Sequence, residues 1–272
     1  MKKIVFSAAF LAVSVLSATG AMAAPVIYNL PVNNIGAFDS VITGTGSSVG
    51  TAPAVLGQSV YNYIDISGNP ATVTVTRPIS GVAATPSTSS YGSGVGAILN
   101  PLWDIGPNDG GTNLGSPPIP GFNDAGLTFT FSSPVNAFGL EIGDWATCCV
   151  SNVRPGSVQS AYGVPATGSG LWISFDGGAA TLPANALSSS DNPGYAAYGD
   201  YTNFIGAIDS SGFFSSVSFF GDGFGEVLYA GGTLRFSSVP KGSVGTVPEP
   251  ASLALLGLGV AGLVAARRRK AA

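Results

Sequence analysis

Carboxylates are the side chains of this sequence best suited to chemistry. Glycan hydrolysis needs only two acids set about 5 to 10 Å apart, and Glu141 and Asp144 flank Ile142 and Gly143 in one short segment. On a strand these two acids point to opposite faces, because side chains alternate with a period of two. A bulge would have to intervene to bring them together. Solvated acids at a strand edge are therefore the expectation, and a carboxylate-dependent enzyme using Glu141 or Glu226 is the alternative.

Hard oxygen ligands cluster in two turn-rich stretches. Asp104, Asn108, Asp109 and Asn113 fall in the Gly- and Pro-rich run 103–113, and Asp222 and Glu226 in a Gly-rich run near 221–226. Calcium accepts such oxygens at relaxed spacing, which makes Asp104, Asn108 and Asp109 weak calcium candidates. Neither stretch has EF-hand spacing, and Asp, Asn and Gly also dominate ordinary turns. Turns are the stronger expectation, and no cofactor is required.

The chain contains no histidine. Ser-His-Asp and Cys-His nucleophiles, histidine metal sites and histidine pH switches are excluded together. Cys148 and Cys149 are the only cysteines. In an oxidising compartment a vicinal disulfide, two free thiols and intermolecular bonds compete. The vicinal disulfide, acting as a local turn clamp, is the expected state; its loop is too short for large chain-entropy stabilisation. Zinc is disfavoured because nothing completes four ligands.

Trp103, Trp145 and Trp172, with Tyr195, Tyr198 and Tyr201, offer ring faces on which sugars stack. Trp172 lies inside an apolar run and reads as core. Trp103, Trp145 and the stretch 195–201 stand beside polar turn residues, so partial exposure is expected, with surface packing ahead of glycan binding for each.

The elements that must position these residues read as strands. Val73 and Val75 alternate with Thr72, Thr74 and Thr76, and Leu127, Phe129 and Phe131 form a second stripe. Phe138, Leu140 and Ile142 form a third, joined to the second through the turn-forming Ser132-Ser133-Pro134. Trp172 to Phe175 precede Asp176-Gly177-Gly178, a hairpin signal. Further strands are expected at 61–66, 203–208, 213–220 and 233–239, giving at least eight. No segment keeps a 3.6-residue period. Gly (39) and Pro (19) are frequent among the 272 residues, and charged residues make up only 9% against about 25% in ordinary soluble domains. Such a chain buries its apolar faces by packing two antiparallel sheets. The expected fold is an all-β, single-domain, two-sheet antiparallel β-sandwich of jelly-roll or lectin-like type over 24–236, with long loops at 43–50 and 82–96 and a tether at 237–246.

Both ends of the sequence carry apolar export segments. Met1-Lys2-Lys3, the apolar run 4–16 and Ala21-Met22-Ala23 make a signal peptide over 1–23. Residues 251–266 hold no charge and are followed at once by Arg267, Arg268, Arg269 and Lys270. That is a stop-transfer pattern: a single transmembrane helix over 251–266 whose cations hold the C-terminus in the cytoplasm.

Val247-Pro248-Glu249-Pro250 stands directly before this apolar segment. The three-part arrangement over 247–272 resembles the PEP-CTERM sorting signal of exported Gram-negative bacterial proteins. The resemblance implies an exosortase as processing partner, with an inner-membrane precursor passed on to the cell surface or extracellular matrix. It covers about a tenth of the chain and says nothing of the cargo. Two prolines also keep the motif extended and unpaired, as a protease groove needs.

Residues 24–246 hold 13 carboxylates and four cations, Arg77, Arg154, Arg235 and Lys241, for a net charge of −9. This balance opposes nucleic acid and anionic lipid headgroups as partners. The sequence thus predicts a non-enzymatic structural or polysaccharide-binding module at the cell surface, with a secreted glycan-active enzyme as the alternative.

Overall fold

The computed structural model describes residues 25–88, 101–104, 126–143, 153–154, 156–188, 201–220 and 229–244. In the segment Pro70–Thr76, Ala71, Val73 and Val75 are buried while Thr72, Thr74 and Thr76 lie half-buried on the other face. This period of two, repeated along the chain, builds the molecule. The described strands are β1 (Val26–Pro31), β2 (Gly50–Pro53), β3 (Val60–Ile64), β4 (Pro70–Thr76), β5 (Leu102–Asp104), β6 (Gly126–Val135), β7 (Ala137–Gly143), β8 (Ser169–Phe175), β9 (Thr181–Ala186), β10 (Asn203–Ile208), β11 (Phe214–Phe220) and β12 (Tyr229–Ser237).

These strands form two six-stranded sheets, antiparallel throughout. Sheet A runs β1-β10-β7-β12-β2, with β5 also paired to β12; sheet B runs β3-β4-β6-β11-β8-β9. The inner faces meet in one core. Phe129 of sheet B lies 4.8 Å from Phe138 of sheet A, and Trp103 and Phe219 meet Phe129 edge-on at 5.8 and 5.9 Å. Each such ring pair contributes about 0.5–1.5 kcal/mol beyond its buried area. The two-sheet antiparallel sandwich expected from the alternation is the architecture observed. The hairpin at Asp176-Gly177 is present too: both residues take positive φ, 51° and 68°, and Gly178 N donates to Phe175 O at 2.9 Å.

Three features differ from the sequence reading. Ser132-Ser133-Pro134 is not the turn between the second and third stripes, because β6 continues through it to Val135. The three residues are an irregularity within the strand: Thr130 faces Ser216 and Val135 faces Phe214, so five steps on β6 match two on β11. Between β6 and β7 the chain passes from sheet B to sheet A through the single residue Asn136. That residue is buried; its Oδ1 accepts from Val239 N at 2.7 Å and its Nδ2 donates to Val239 O at 2.9 Å.

Two helices also appear, α1 (Gly36–Gly44) and α2 (Gly156–Tyr162). Phe38 and Ile42 of α1, with Ile35 just before it, pack on Ala137, Phe204, Ile208 and Val239, covering the outer face of sheet A. The apolar positions share one helical face, but β-branched Val41-Ile42-Thr43 and two glycines conceal the signal from propensity. Val158 of α2 packs on Trp172, Ala180 and Phe220 over sheet B. Finally, the stretch read as a tether stays in the fold to Val244. Val239 is fully buried, Gly242 N donates to Ser210 O and Ser210 Oγ to Val244 O. Among the described residues no helix is long and apolar enough to cross a membrane; the segments 1–23 and 251–266 lie outside them.

Candidate functional site

The outer face of sheet B carries hydroxyls in register. Thr74 faces Thr130, which faces Ser216; Thr76 faces Thr128, which faces Ser218, which faces Ser174. Asn62 of β3 faces Thr72 at the edge. Strands about 4.8 Å apart and side chains repeating about every 6.6 Å along each strand turn these positions into a lattice. Thr130 and Ser132 are exposed, Thr72, Thr74, Thr76, Thr128 and Ser216 half-buried, and Ser218 and Ser174 buried. The buried end satisfies itself: Thr128 Oγ1 and Ser218 Oγ lie 2.7 Å apart. Ser132 Oγ accepts from Thr72 N at 2.8 Å. The hydroxyls of Thr72, Thr74 and Thr130 bond to no other described residue. None of the lattice positions carries a charge; Asp176 stands at its margin, its Oδ1 accepting from Ser215 N and Ser216 N at 2.8 and 2.9 Å.

Beside this face, at the open edge of β3, runs a groove of about 620 Å³. Thr45 to Ser48 with Gly50 and Thr51 form one wall, Asn62 to Ile66 the other, and buried Tyr63, Val135 and Phe236 the base. Hydroxyls fasten the first wall to the end of β12: Ser47 Oγ donates to Ser238 O at 3.0 Å and Ser237 Oγ to Ser48 O at 2.7 Å. Among the described residues of the lining, Asp65 is the only charged one. Its Oδ1 accepts from Asn69 N at 2.8 Å and Ser67 N at 2.9 Å, and its Oδ2 from Ser133 Oγ at 3.1 Å. The Asn69 amide above all holds its carboxyl below the ordinary value of 3.8. Burial pushes the Tyr63 phenol up, while its hydrogen bond to Ser133 O works the other way.

Glu141, the described member of the expected acid pair, is engaged by protein. β12 holds two extra residues between Gly231 and Arg235, which face Glu141 and Gly139. The Glu141 carboxylate fills that irregularity: Oε1 accepts from Thr233 N at 3.3 Å and meets Arg235 Nη1 at 3.4 Å. Gly232 has φ 60°, and a Cβ there would collide with the Glu141 carboxylate, so only glycine fits. Arg235 Nε reaches Asp39 Oδ1 at 3.2 Å, and its guanidinium lies 5.8 Å over Phe204. Asp144, Asp222 and Glu226 lie outside the described residues.

Trp103 is not partly exposed as its polar neighbours suggested. It is 1% exposed, its Nε1 donates to Ala84 O at 3.1 Å, and Tyr61 and Phe129 pack on its ring. Pairing of β5 with β12 buries Leu102 and Trp103 alike, despite the turn residues that follow. Trp172 is buried as expected, beneath α2 instead of between the sheets. Tyr201 is half-buried and donates its hydroxyl to Pro101 O at 2.7 Å. Asp104 is a backbone partner of Tyr229, while Asn108, Asp109 and Asn113 lie outside the described residues. So do Trp145, Tyr195, Tyr198, Cys148, Cys149, Val247, Pro248, Glu249, Pro250, Arg267, Arg268, Arg269 and Lys270. Among the described residues no three acids or cysteines gather into a metal site. The Thr and Ser rows were visible in sequence only as separate alternations, because register alone aligns them across strands.

A family model described as the PEP-CTERM protein-sorting motif matches residues 246–270. The chain is a PEP-CTERM motif-containing protein, and the motif implies export and handling by an exosortase. Neither the curated proteins nor the solved structures gave a match.

Proposed function

We propose that the chain is a non-enzymatic module of the cell surface or extracellular matrix that binds a neutral polysaccharide on the outer face of sheet B, in the manner of a lectin-like sandwich. The observation that carries this reading is the uncharged hydroxyl lattice centred on Thr74 and Thr130. A plane of hydroxyls that leaves donors and acceptors open suits a ligand rich in hydroxyls and lacking charge. The net charge of −9 over 24–246 supports a neutral partner over an anionic one. The engagement of Glu141 by Arg235 supports binding without hydrolysis.

The exported chain should be retained on immobilised neutral polysaccharide and release no reducing ends. Replacing Thr74 and Thr130 together by Val keeps their shape and removes their hydroxyls. Retention should weaken roughly tenfold or more, at about 1 kcal/mol for each lost hydrogen bond. Retention that survives T74V/T130V would move the site elsewhere, and new reducing ends would replace the reading with an enzymatic one.

A further inference from the structure

Strand β3 differs from the other described sheet edges. β1 is bounded by Pro25 and Pro31, β2 ends in Pro53, β9 contains Pro183, and β5 has three residues and ends in Asp104. Proline, charge and shortness are how edge strands avoid pairing with another chain. β3 reads Val60-Tyr61-Asn62-Tyr63-Ile64 and has none of these protections.

Tyr61 and Tyr63 point into the core, while Val60, Asn62 and Ile64 are exposed, Val60 to 44% and Ile64 to 66%. Backbone direction follows the same alternation. Val75 N donates to Ser59 O, so the odd positions of β3 bond to β4, and Val60, Asn62 and Ile64 turn their N–H and C=O groups to the open side. On that side the amide of half-buried Gln58 donates to Val60 O at 2.7 Å, and the carbonyl keeps a second lone pair. The groove described above follows the same edge from Asn62 to Ile66.

We propose that a second copy of this chain pairs with β3, strand to strand and antiparallel, about a two-fold axis through Asn62. The strand is self-complementary in that register. Val60 meets the partner's Ile64, Asn62 meets the partner's Asn62 amide to amide, and Ile64 meets the partner's Val60. Each facing pair exchanges both backbone hydrogen bonds, and the two apolar pairs flank the amide pair as cross-strand contacts. Asp65 falls opposite the partner's Ser59, so no like charges confront each other. On a chain this acidic, an uncharged edge is where two copies can approach. The start of the partner's strand enters the groove.

A two-fold axis between antiparallel strands is perpendicular to the sheet, so sheet B of both copies becomes one sheet with its hydroxyl rows on one side. That arrangement doubles the points of attachment for a polymer, although the pairing does not depend on the polysaccharide reading. One strand edge buries less than the roughly 1,200–2,000 Å² of a permanent interface. Association is therefore reversible and follows concentration.

Sedimentation of the exported chain over a dilution series should show a monomer–dimer equilibrium. Facing Cα atoms of a hydrogen-bonded antiparallel pair lie about 5.5 Å apart, within disulfide reach. Under mild oxidation N62C should therefore give a covalent dimer above the background of the parent chain. V60C alone should not, and V60C mixed with I64C should. N62K places ammonium against ammonium and should lower the dimer-to-monomer ratio roughly tenfold, with unchanged circular dichroism and melting temperature showing an intact fold. A chain that stays monomeric throughout, or N62C and V60C cross-linking equally, would overturn the proposal. Since no glycan is present, that failure would leave the polysaccharide reading untouched.

Discussion

Asn136 fixes the passage from β6 of sheet B to β7 of sheet A. Its side-chain amide pairs with both backbone groups of Val239, its own N–H donates to Ser237 O at 3.2 Å, and its carbonyl accepts from Asp209 N at 2.7 Å. An apolar residue of similar size leaves the buried N–H and C=O of Val239 unpaired. Asn136→Leu should cost about 2–4 kcal/mol in urea unfolding, and Asn136→Asp, which lacks the donor, should not restore it. Asp65 makes a separate prediction through pH. Its carboxyl is held below the ordinary value of 3.8, chiefly by Asn69 N. Its contribution is therefore present above that value and lost as pH falls through the lower folded value. Melting curves of the parent should decline over that acid window, and Asp65→Asn should flatten this part of the decline while lowering the plateau above it.

The clamp that holds α1 to sheet A acts between elements. Arg235 on β12 joins Asp39 of α1 to Glu141 of β7, with side-chain exposures of 16%, 33% and 16%. Such a half-buried network lies between the small value of surface pairs and the larger cost of orphaning a buried charge. Arg235→Met should destabilise by about 1–3 kcal/mol in thermal unfolding. Arg235→Lys should recover only part, since one ammonium cannot reproduce the fork. This clamp explains why strand alternation in β7 and β12 was readable while their pairing was not. Alternation needs only neighbours in sequence, as in Val73 and Val75 of β4 or Leu127, Phe129 and Phe131 of β6. The irregularities at 132–134 and 232–234 depend on partners such as Glu141, some ninety residues away.

Over the whole chain, function divides between the terminal address and the folded cargo. Replacing Pro248, Glu249 and Pro250 by alanine should leave the sandwich intact and block processing. Immunoblots of cell fractions should then show precursor-sized protein retained with the membrane and less outside. Unchanged size and release would separate the motif from sorting. Cargo properties depend instead on sheet order. The order β3-β4-β6-β11 brings Thr72, Thr74, Thr130 and Ser216 to one surface from segments spread over 145 positions.

The sequence by itself determined the sorting motif, the all-β class and most strand positions. Each is written in local order: a contiguous tripeptide beside an apolar run, or a repeat of two. It also removed histidine chemistry and set an acidic cargo. Only the tertiary structure decided that Trp103 is core, that Glu141 supports a strand irregularity, and that β3 lacks the protections of its fellow edges. The physical reason is the same in each case. Burial, ion pairing and edge position belong to pairs of distant segments, and they exist only after register has chosen which segments meet.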